Sequence, residues 1–151
     1  MPPFVVGISG ATKAGKTTLT DALCRRLCGD AKGQKNSRRD KVMRYMSSVT
    51  GIRVSVIAQD SFFKGTKAIE DNHPSWDFSD TIDHDAILKA LQCEIVDEEL
   101  HCVLFEGFKA FWDERVLPLL SLCLWIRAPR EFSRKRKMRK KTCTEEFFKE
   151  V

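Results

Sequence analysis

The spacing of apolar and polar residues along the chain predicts a regular alternation of short strands and helices. Four apolar runs have the length of buried strands, namely residues 4–9, 54–58, 102–105 and 122–126. Helical spacing of apolar residues recurs between and after these runs, at residues 16–28, 83–92, 111–119 and from 129 toward 151. Strands that alternate with helices pair in parallel through right-handed crossovers. The pattern predicts an α/β fold, with a parallel sheet of about four strands and helices on both faces.

Two polar stretches interrupt this alternation. Residues 29–52 are rich in Lys, Arg, Ser and Gly, with weak helical character at 41–46, and are predicted to form a mobile, basic surface insertion. Residues 65–80 are predicted to form a polar loop. Because the chain has 151 residues, we expect it to form one domain.

A phosphate-binding pattern directly follows the first predicted strand. The segment G-A-T-K-A-G-K-T at residues 10–17 fits G-x-x-x-x-G-K-[ST] at every required position. Gly10 and Gly15 permit close backbone approach, the loop amides form an anion-binding nest, and the next helix adds its positive end. Lys16 would reach the β- and γ-phosphates, and the Thr17 hydroxyl would bind Mg²⁺. A chance glycine turn is the alternative, but the strand before it and the amphipathic helix after it favour a P-loop, and with it a three-layer P-loop NTPase fold.

Acidic residues stand at the ends of two further predicted strands. Asp60 follows residues 54–58, and Glu106 follows residues 102–105. Because ligands of parallel sheets bind beyond the carboxyl ends of the strands, both carboxylates are expected beside the phosphates. Asp60 could take a proton from an acceptor hydroxyl or could only cap the turn that follows it. Glu106 could lie close to Mg²⁺ or could be an acid in a surface turn.

Other candidate residues are less specific on their own. Trp76 and Asp77 could bind a planar base and sugar hydroxyls, or could be a core tryptophan with a capping acid. Arg136 and Arg139 share a face of the basic last helix, where they could contact a transferring phosphoryl group. The alternatives for this helix are a solvated face or a nucleic-acid or nuclear-import patch. The three histidines have no metal-ligand spacing and are interpreted as surface residues.

Composition and charge exclude several classes of protein. No apolar run approaches the roughly 20 residues of a membrane span, and no basic segment precedes an apolar one as in a signal peptide. The six cysteines include no C-x-x-C pair, so we expect reduced thiols in a cytoplasmic or nuclear protein. The net charge of +5 is concentrated at residues 127–141, which could face a nucleotide, a nucleic acid or only solvent ions.

Taken together, the motifs resemble those of the uridine kinase and nicotinamide riboside kinase family of P-loop nucleoside kinases, and most closely those of the nicotinamide riboside kinases. The resemblance is carried in family order by G-I-S-G-A-T-K-A-G-K-T-T, V-I-A-Q-D-S-F-F-K, W-D, V-L-F-E-G-F and the basic helix, at residues 7–18, 56–64, 76–77, 103–108 and 130–141. It implies ATP and Mg²⁺ as cofactors and a small-molecule nucleoside as substrate. Family members continue past the lid helix, so the resemblance also implies that residues 130–151 form the lid region and that the family's last strand and helix are lacking.

The resemblance assigns a role to each matching residue. The triphosphate would be bound by Gly10, Ala11, Thr12, Lys13, Ala14, Gly15, Lys16, Thr17 and Thr18. Asp60 would be the catalytic base, Glu106 the magnesium-linked acid, and Arg136 and Arg139 the arginines of the lid. Asp77 would bind the ribose diol, and Trp76 would stack on the base.

The reaction that this resemblance implies is transfer of the ATP γ-phosphate to the 5′-hydroxyl of a ribonucleoside. Nicotinamide riboside is favoured because uridine kinases carry a pyrimidine-recognising hairpin for which residues 93–101 are too few. A uridine/cytidine kinase and a truncated, non-catalytic nucleotide-binding protein are the alternatives. A GTPase is disfavoured because no N-K-x-D motif occurs in the sequence. We expect a monomer that binds neither membranes nor nucleic acids.

Overall fold

The structure of the protein is a computed structural model, and it describes residues 1–29, 34–36, 39–64 and 81–138. Within these residues, six strands form one sheet: β1 (Phe4–Gly10), β2 (Gln34–Asn36), β3 (Arg39–Met46), β4 (Arg53–Ala58), β5 (Cys102–Gly107) and β6 (Leu122–Ile126). The α-helices of the same residues are α1 (Lys16–Cys28), α2 (His84–Ile95) and α3 (Arg130–Met138). Short 3₁₀-helices span Gln59–Phe62 and Leu117–Leu119.

The strands are ordered β2-β3-β4-β5-β1-β6 across the sheet. The four predicted strands are confirmed, and they pair in parallel as β4–β5, β5–β1 and β1–β6. In this register Val54 lies beside Cys102, and Val5 lies beside Val103. The carboxyl ends of β1, β4 and β5 therefore meet at one edge of the sheet, where the phosphate-binding pattern, Asp60 and Glu106 also lie.

Apolar side chains cover both faces of the sheet because successive strand residues point to opposite sides. Val5 and Val103 belong to one cluster, which includes Ile87 and Leu91 of α2. Val6 and Leu104 belong to the other cluster, and this second cluster includes buried cysteines of α1. The expectation of helices on both faces of the sheet is thus confirmed.

The expectation for residues 29–52 is wrong, because the described part of this stretch extends the sheet. β3 pairs antiparallel with β4, and β2 pairs antiparallel with β3. Val42 is fully buried opposite Ile57, so β3 is a strand that contributes to the core, although Met46 at its end is exposed. The sheet consequently has five strands of five or more residues and one strand of three, which exceeds the predicted number.

The helix predicted at residues 111–119 is also wrong. The chain forms turns there, with hydrogen bonds from Trp112 N–H to Lys109 O and from Val116 N–H to Asp113 O, and a 3₁₀-helix follows. The Asp113 carboxylate accepts the Arg115 backbone N–H and binds its guanidinium, which holds this stretch in turns.

The other predicted helices form. α2 begins after Asp83, whose side chain accepts the Ala86 N–H at 2.9 Å as an N-cap, and it runs to Ile95, three residues beyond the predicted end at Gln92. The last helix is described as far as Met138, and the remainder of residues 130–151 lies outside the described residues. Within the described part of the chain, no helix has the length and apolar character that crossing a membrane requires.

Candidate active site

The glycine-rich segment forms a tight loop between β1 and α1. Gly10 has φ +151°, and a Cβ at this position would overlap the carbonyl oxygen of Ile126 in β6, so only glycine fits. Lys13 has φ +64°, and Gly15 caps α1 with φ +107°. These left-handed residues turn the backbone so that α1 begins at the sheet edge, where the first N–H groups of a helix have no partner within the helix and can bind an anion.

Lys16 begins α1 and lies beside both predicted acids. Its ammonium donates a hydrogen bond to the Ala11 carbonyl at 2.9 Å. Burial lowers the pKa of Lys16, and the negative charges of Asp60 and Glu106 oppose this shift. The ammonium is therefore both desolvated and close to the two carboxylates, which places positive charge at the mouth of the loop.

Thr17 and Glu106 are in direct contact. The Thr17 hydroxyl lies 3.1 Å from both carboxylate oxygens of Glu106, to which it donates. Glu106 is 7% exposed, and this burial raises the pKa of its carboxyl, although the hydrogen bond from Thr17 opposes the shift. The charge of Asp60 raises the pKa of Glu106 further, so the two acids are electrostatically coupled.

Asp60 lies in the 3₁₀-helix that follows β4, and its side chain is exposed. In the sheet Ala58 is paired with Glu106, so the two acidic strand ends are neighbours. One cavity of about 370 Å³ is lined by both acids and by the loop. The predicted residues that line it are Thr12, Lys13, Gly15, Lys16, Thr17, Thr18, Asp60, Glu106 and Arg136.

Arg136 of the basic helix α3 contacts the loop. Its guanidinium Nη1 donates a hydrogen bond to the Lys13 carbonyl oxygen at 3.1 Å. A cationic side chain from the far end of the described chain thus reaches the cavity that contains Lys16. The predicted site residues Trp76, Asp77 and Arg139 lie outside the described residues.

Sequence reasoning assigned no role to four residues that also line the cavity: Ala58, Gln59, Gly107 and Phe108. Gln59 is 1% exposed, and its side chain lies across the backbone of Gly107. Phe108 stacks on Phe63, with ring centroids 6.2 Å apart. Each of these residues lies one or two positions from Asp60 or Glu106 in the sequence, and this closeness was the only sign of their place in the site.

The donor set at the Thr17–Glu106 contact fits a magnesium ion. A hydroxyl and a carboxylate supply oxygen ligands, and Mg²⁺ in nucleotide sites is bound through one or two such groups together with phosphates. Among the described residues, no group of three or more His, Cys, Asp or Glu side chains is arranged to hold a metal. The arrangement therefore fits a metal ion whose ligands come partly from the protein and partly from a phosphate better than a metal ion bound by protein side chains alone.

Known proteins that are similar to this chain are kinases. Nicotinamide riboside kinase 2 of Mus musculus is 26% identical over 153 residues, and the human protein of that name is 26% identical over 147 residues. These alignments cover 89% and 85% of this chain, but 66% and 54% of those proteins. A chloroplastic uridine/cytidine kinase of Arabidopsis thaliana is 23% identical over 166 residues, covering 93% of this chain and 30% of that protein. The chain thus spans between 30% and 66% of the length of these relatives.

The fold also occurs in a solved structure. A protein of Silicibacter sp. TM1040, provisionally named a fructose transport system kinase, matches with a TM-score of 0.70 at 14% identity, over 96% of this chain and 76% of that one. No family model matches the chain. The relatives therefore confirm the resemblance to nicotinamide riboside kinases and uridine/cytidine kinases that the motifs indicated.

Proposed function

We propose that this chain transfers the γ-phosphoryl group of ATP to the 5′-hydroxyl of a ribonucleoside, with nicotinamide riboside as the first candidate acceptor. The single observation that carries the proposal is the convergence of Lys16, Thr17, Asp60 and Glu106 on one cavity. Three different strand ends contribute these residues, which is the arrangement expected of a phosphoryl-transfer site.

The loop is the triphosphate site in this proposal, as a P-loop. Residues 10–18 surround the phosphates with backbone N–H groups, and the amino-terminal end of α1 adds a positive dipole. Lys16 neutralises the β- and γ-phosphates, and Arg136 supplies a second cation from α3. Because phosphoryl transfer depends mainly on positioning and charge stabilisation, these contacts supply much of the catalysis.

Thr17 and Glu106 would hold the magnesium ion, whose positive charge offsets the negative charge that develops on the phosphates. Glu106 must be ionised to do so. Its burial favours the neutral acid, and the hydrogen bond from Thr17 favours the carboxylate. The hydroxyl of Thr17 thus orients the Glu106 carboxylate, and a bound cation would further favour its ionised form.

Asp60 is the general base in this proposal. Its exposed carboxylate stands beside Lys16, where an acceptor hydroxyl could approach the γ-phosphorus. The hydroxyl proton moves to the Asp60 carboxylate, a bond forms between the hydroxyl oxygen and the γ-phosphorus, and the bond to the β–γ bridging oxygen breaks. The products are ADP and the nucleoside 5′-monophosphate.

Two observations support nicotinamide riboside over uridine or cytidine as the acceptor. Two of the relatives are nicotinamide riboside kinases, although their identity to this chain is low. In addition, α2 ends at Ile95 and β5 begins at Cys102, so the connection is too short to contain a base-recognising hairpin. Contacts of Asp77 with the ribose diol, and of Trp76 with the base, remain part of the proposal.

Product identification tests the proposal. The chain is incubated with ATP, magnesium and an equal mixture of nicotinamide riboside, uridine and cytidine, and the monophosphates are identified by mass spectrometry. Nicotinamide mononucleotide as the main product is expected. A pyrimidine monophosphate would assign the acceptor to the alternative class, and a rise in melting temperature with Mg-ATP but no product would leave a non-catalytic nucleotide-binding protein.

Replacing the proposed base tests the mechanism. Asp60→Asn is expected to lower kcat by about 10²–10⁴-fold, the usual contribution of a general base, with ATP affinity retained. Asp85→Asn is the matched control, because Asp85 is an exposed acid at the start of α2 that pairs with Arg115. A normal kcat in the Asp60→Asn enzyme would remove the assignment of the base.

A further inference from the structure

Gln59 is a buried amide between the two acidic strand ends. It directly precedes Asp60 and is 1% exposed. Its Oε1 accepts a hydrogen bond from the backbone N–H of Lys109 at 2.9 Å. Lys109 follows β5 closely, so this bond joins the turn after β4 to the turn after β5.

The same side chain also fits against Gly107. A Cβ placed on Gly107 would lie 2.5 Å from the Gln59 Cβ and 2.7 Å from its Cδ, closer than atoms can approach without displacement. Any other residue at position 107 would therefore push the amide away from Lys109. Gln59 and Gly107 therefore pack against each other, and each of them is the neighbour in sequence of one of the two acids.

This contact lies where regular strand pairing stops. The parallel ladder between β4 and β5 ends at the pair Ala58–Glu106. Asp60 lies two residues beyond that pair, in the 3₁₀-helix Gln59–Phe62 and past the end of the ladder. The hydrogen bond between Gln59 and Lys109 links the two chain segments just beyond the last pair of the ladder.

We propose that Gln59 is a positioning residue, which fixes the placement of Asp60 relative to Glu106 by joining the ends of β4 and β5. The kinetic part of this inference rests on the proposed function. Displacing a catalytic group by about 1 Å can lower a rate about 10²-fold, so a side chain that sets this spacing affects kcat without touching the reacting atoms.

The kinetic test compares two substitutions of similar length. Gln59→Met removes the acceptor oxygen, whereas Gln59→Glu keeps it. The Met variant is expected to lose about 10²-fold in kcat with unchanged KM for ATP and nucleoside, and the Glu variant is expected to retain more of kcat than the Met variant. Gln92→Met is the control, because Gln92 is exposed on α2.

The structural test is amide hydrogen exchange at Lys109 in the substrate-free chain. Gln59→Met is expected to accelerate this exchange, because the Lys109 N–H loses its acceptor, and Gln59→Glu is expected to preserve the protection. This result decides the contact even if the wild-type chain phosphorylates no nucleoside, an outcome that would refute only the proposed function. If the Met variant does not fold, exchange at Lys109 in the wild type still tests the contact, because fast exchange of this N–H would show that the hydrogen bond to Gln59 does not form.

Three results would overturn the inference. Unchanged Lys109 exchange in Gln59→Met would show that the hydrogen bond does not form. Unchanged kcat with accelerated exchange would show that the bond has no effect on the site. A raised KM for the nucleoside with normal kcat would make Gln59, which also lines the cavity, a substrate contact and not a positioning residue.

Discussion

Arg44 of β3 fastens the antiparallel strands to helix α2. Its Nη2 lies 2.8 Å from Glu94 Oε2, and its Nη1 lies 2.8 Å from Asp97 Oδ2. The Glu94 side chain is 1% exposed, and that of Arg44 is 34% exposed. The hydrogen bond to Glu94 raises the pKa of Arg44, so the guanidinium remains charged opposite a buried carboxylate. We predict that Arg44→Met destabilises the fold.

The magnitude follows from the burial of the two partners. Removing one partner of a buried ion pair costs about 3–5 kcal/mol, because the other charge stays buried without compensation. Solvent reaches Arg44 and screens the pair, so we expect a loss of about 2 kcal/mol in the free energy of unfolding. For a chain of this size, about 1 kcal/mol corresponds to 2–4 °C, so the melting temperature should fall by about 4–8 °C.

Thermal unfolding followed by circular dichroism measures this effect. The double variant Arg44→Met/Glu94→Met should regain most of the loss, because the fully buried charge of Glu94 is removed and only the partly exposed Asp97 loses its partner. Arg53→Met is the matched control, since Arg53 pairs with the exposed Glu99 and a surface pair contributes at most about 1 kcal/mol.

Equal melting temperatures for the wild type and Arg44→Met would refute the reasoning, as would a double variant less stable than Arg44→Met. Either result would mean that β3 is not held against α2 by this pair.

Two further predictions concern single buried groups. The Ser55 hydroxyl is fully buried and has no hydrogen-bond partner among the described residues, so Ser55→Ala should stabilise the fold by about 1 kcal/mol, with the exposed Ser48→Ala as a neutral control in the same unfolding assay. Because burial raises the pKa of Glu106 above its ordinary value, the folded state binds the proton more tightly than the unfolded state. Stability should therefore increase as pH falls through this raised pKa toward the ordinary value of 4.5, and Glu106→Gln should abolish that increase in melting curves recorded against pH.

The sequence predicted the central strands and the loop because their signals are local. The run before Gly10 is apolar, and each acid stands within two residues of the end of an apolar run, so parallel pairing alone brings them to one edge. β3 was missed because Val42, Met43 and Met46 also suit a helical spacing, and only pairing with β4 distinguishes the two. The structure of residues 111–119 depends on the bonds between Asp113 and Arg115, which periodicity does not reveal.

Parts of the candidate site depend on contacts between residues distant in sequence. Arg136 reaches the loop through the Lys13 carbonyl, 123 positions away along the chain. The Gln59 amide meets a backbone N–H 50 positions away. Neither partner has a side-chain signature, because one is a carbonyl oxygen and the other is an N–H group, so no pattern of residue types could have indicated these contacts.

The antiparallel strands β2 and β3 cover the edge of β4 and so protect this side of the sheet from pairing with other chains. Without them β4, the strand that leads to Asp60, would present a row of open backbone groups on which strands of other chains could assemble. In the described part of the chain, the outermost strand on this side is instead β2, which has three residues and an irregular register at Lys35 and Asn36. Such a short, interrupted border is a poor template for aggregation, so shortening β2 and β3 should make the protein prone to self-association.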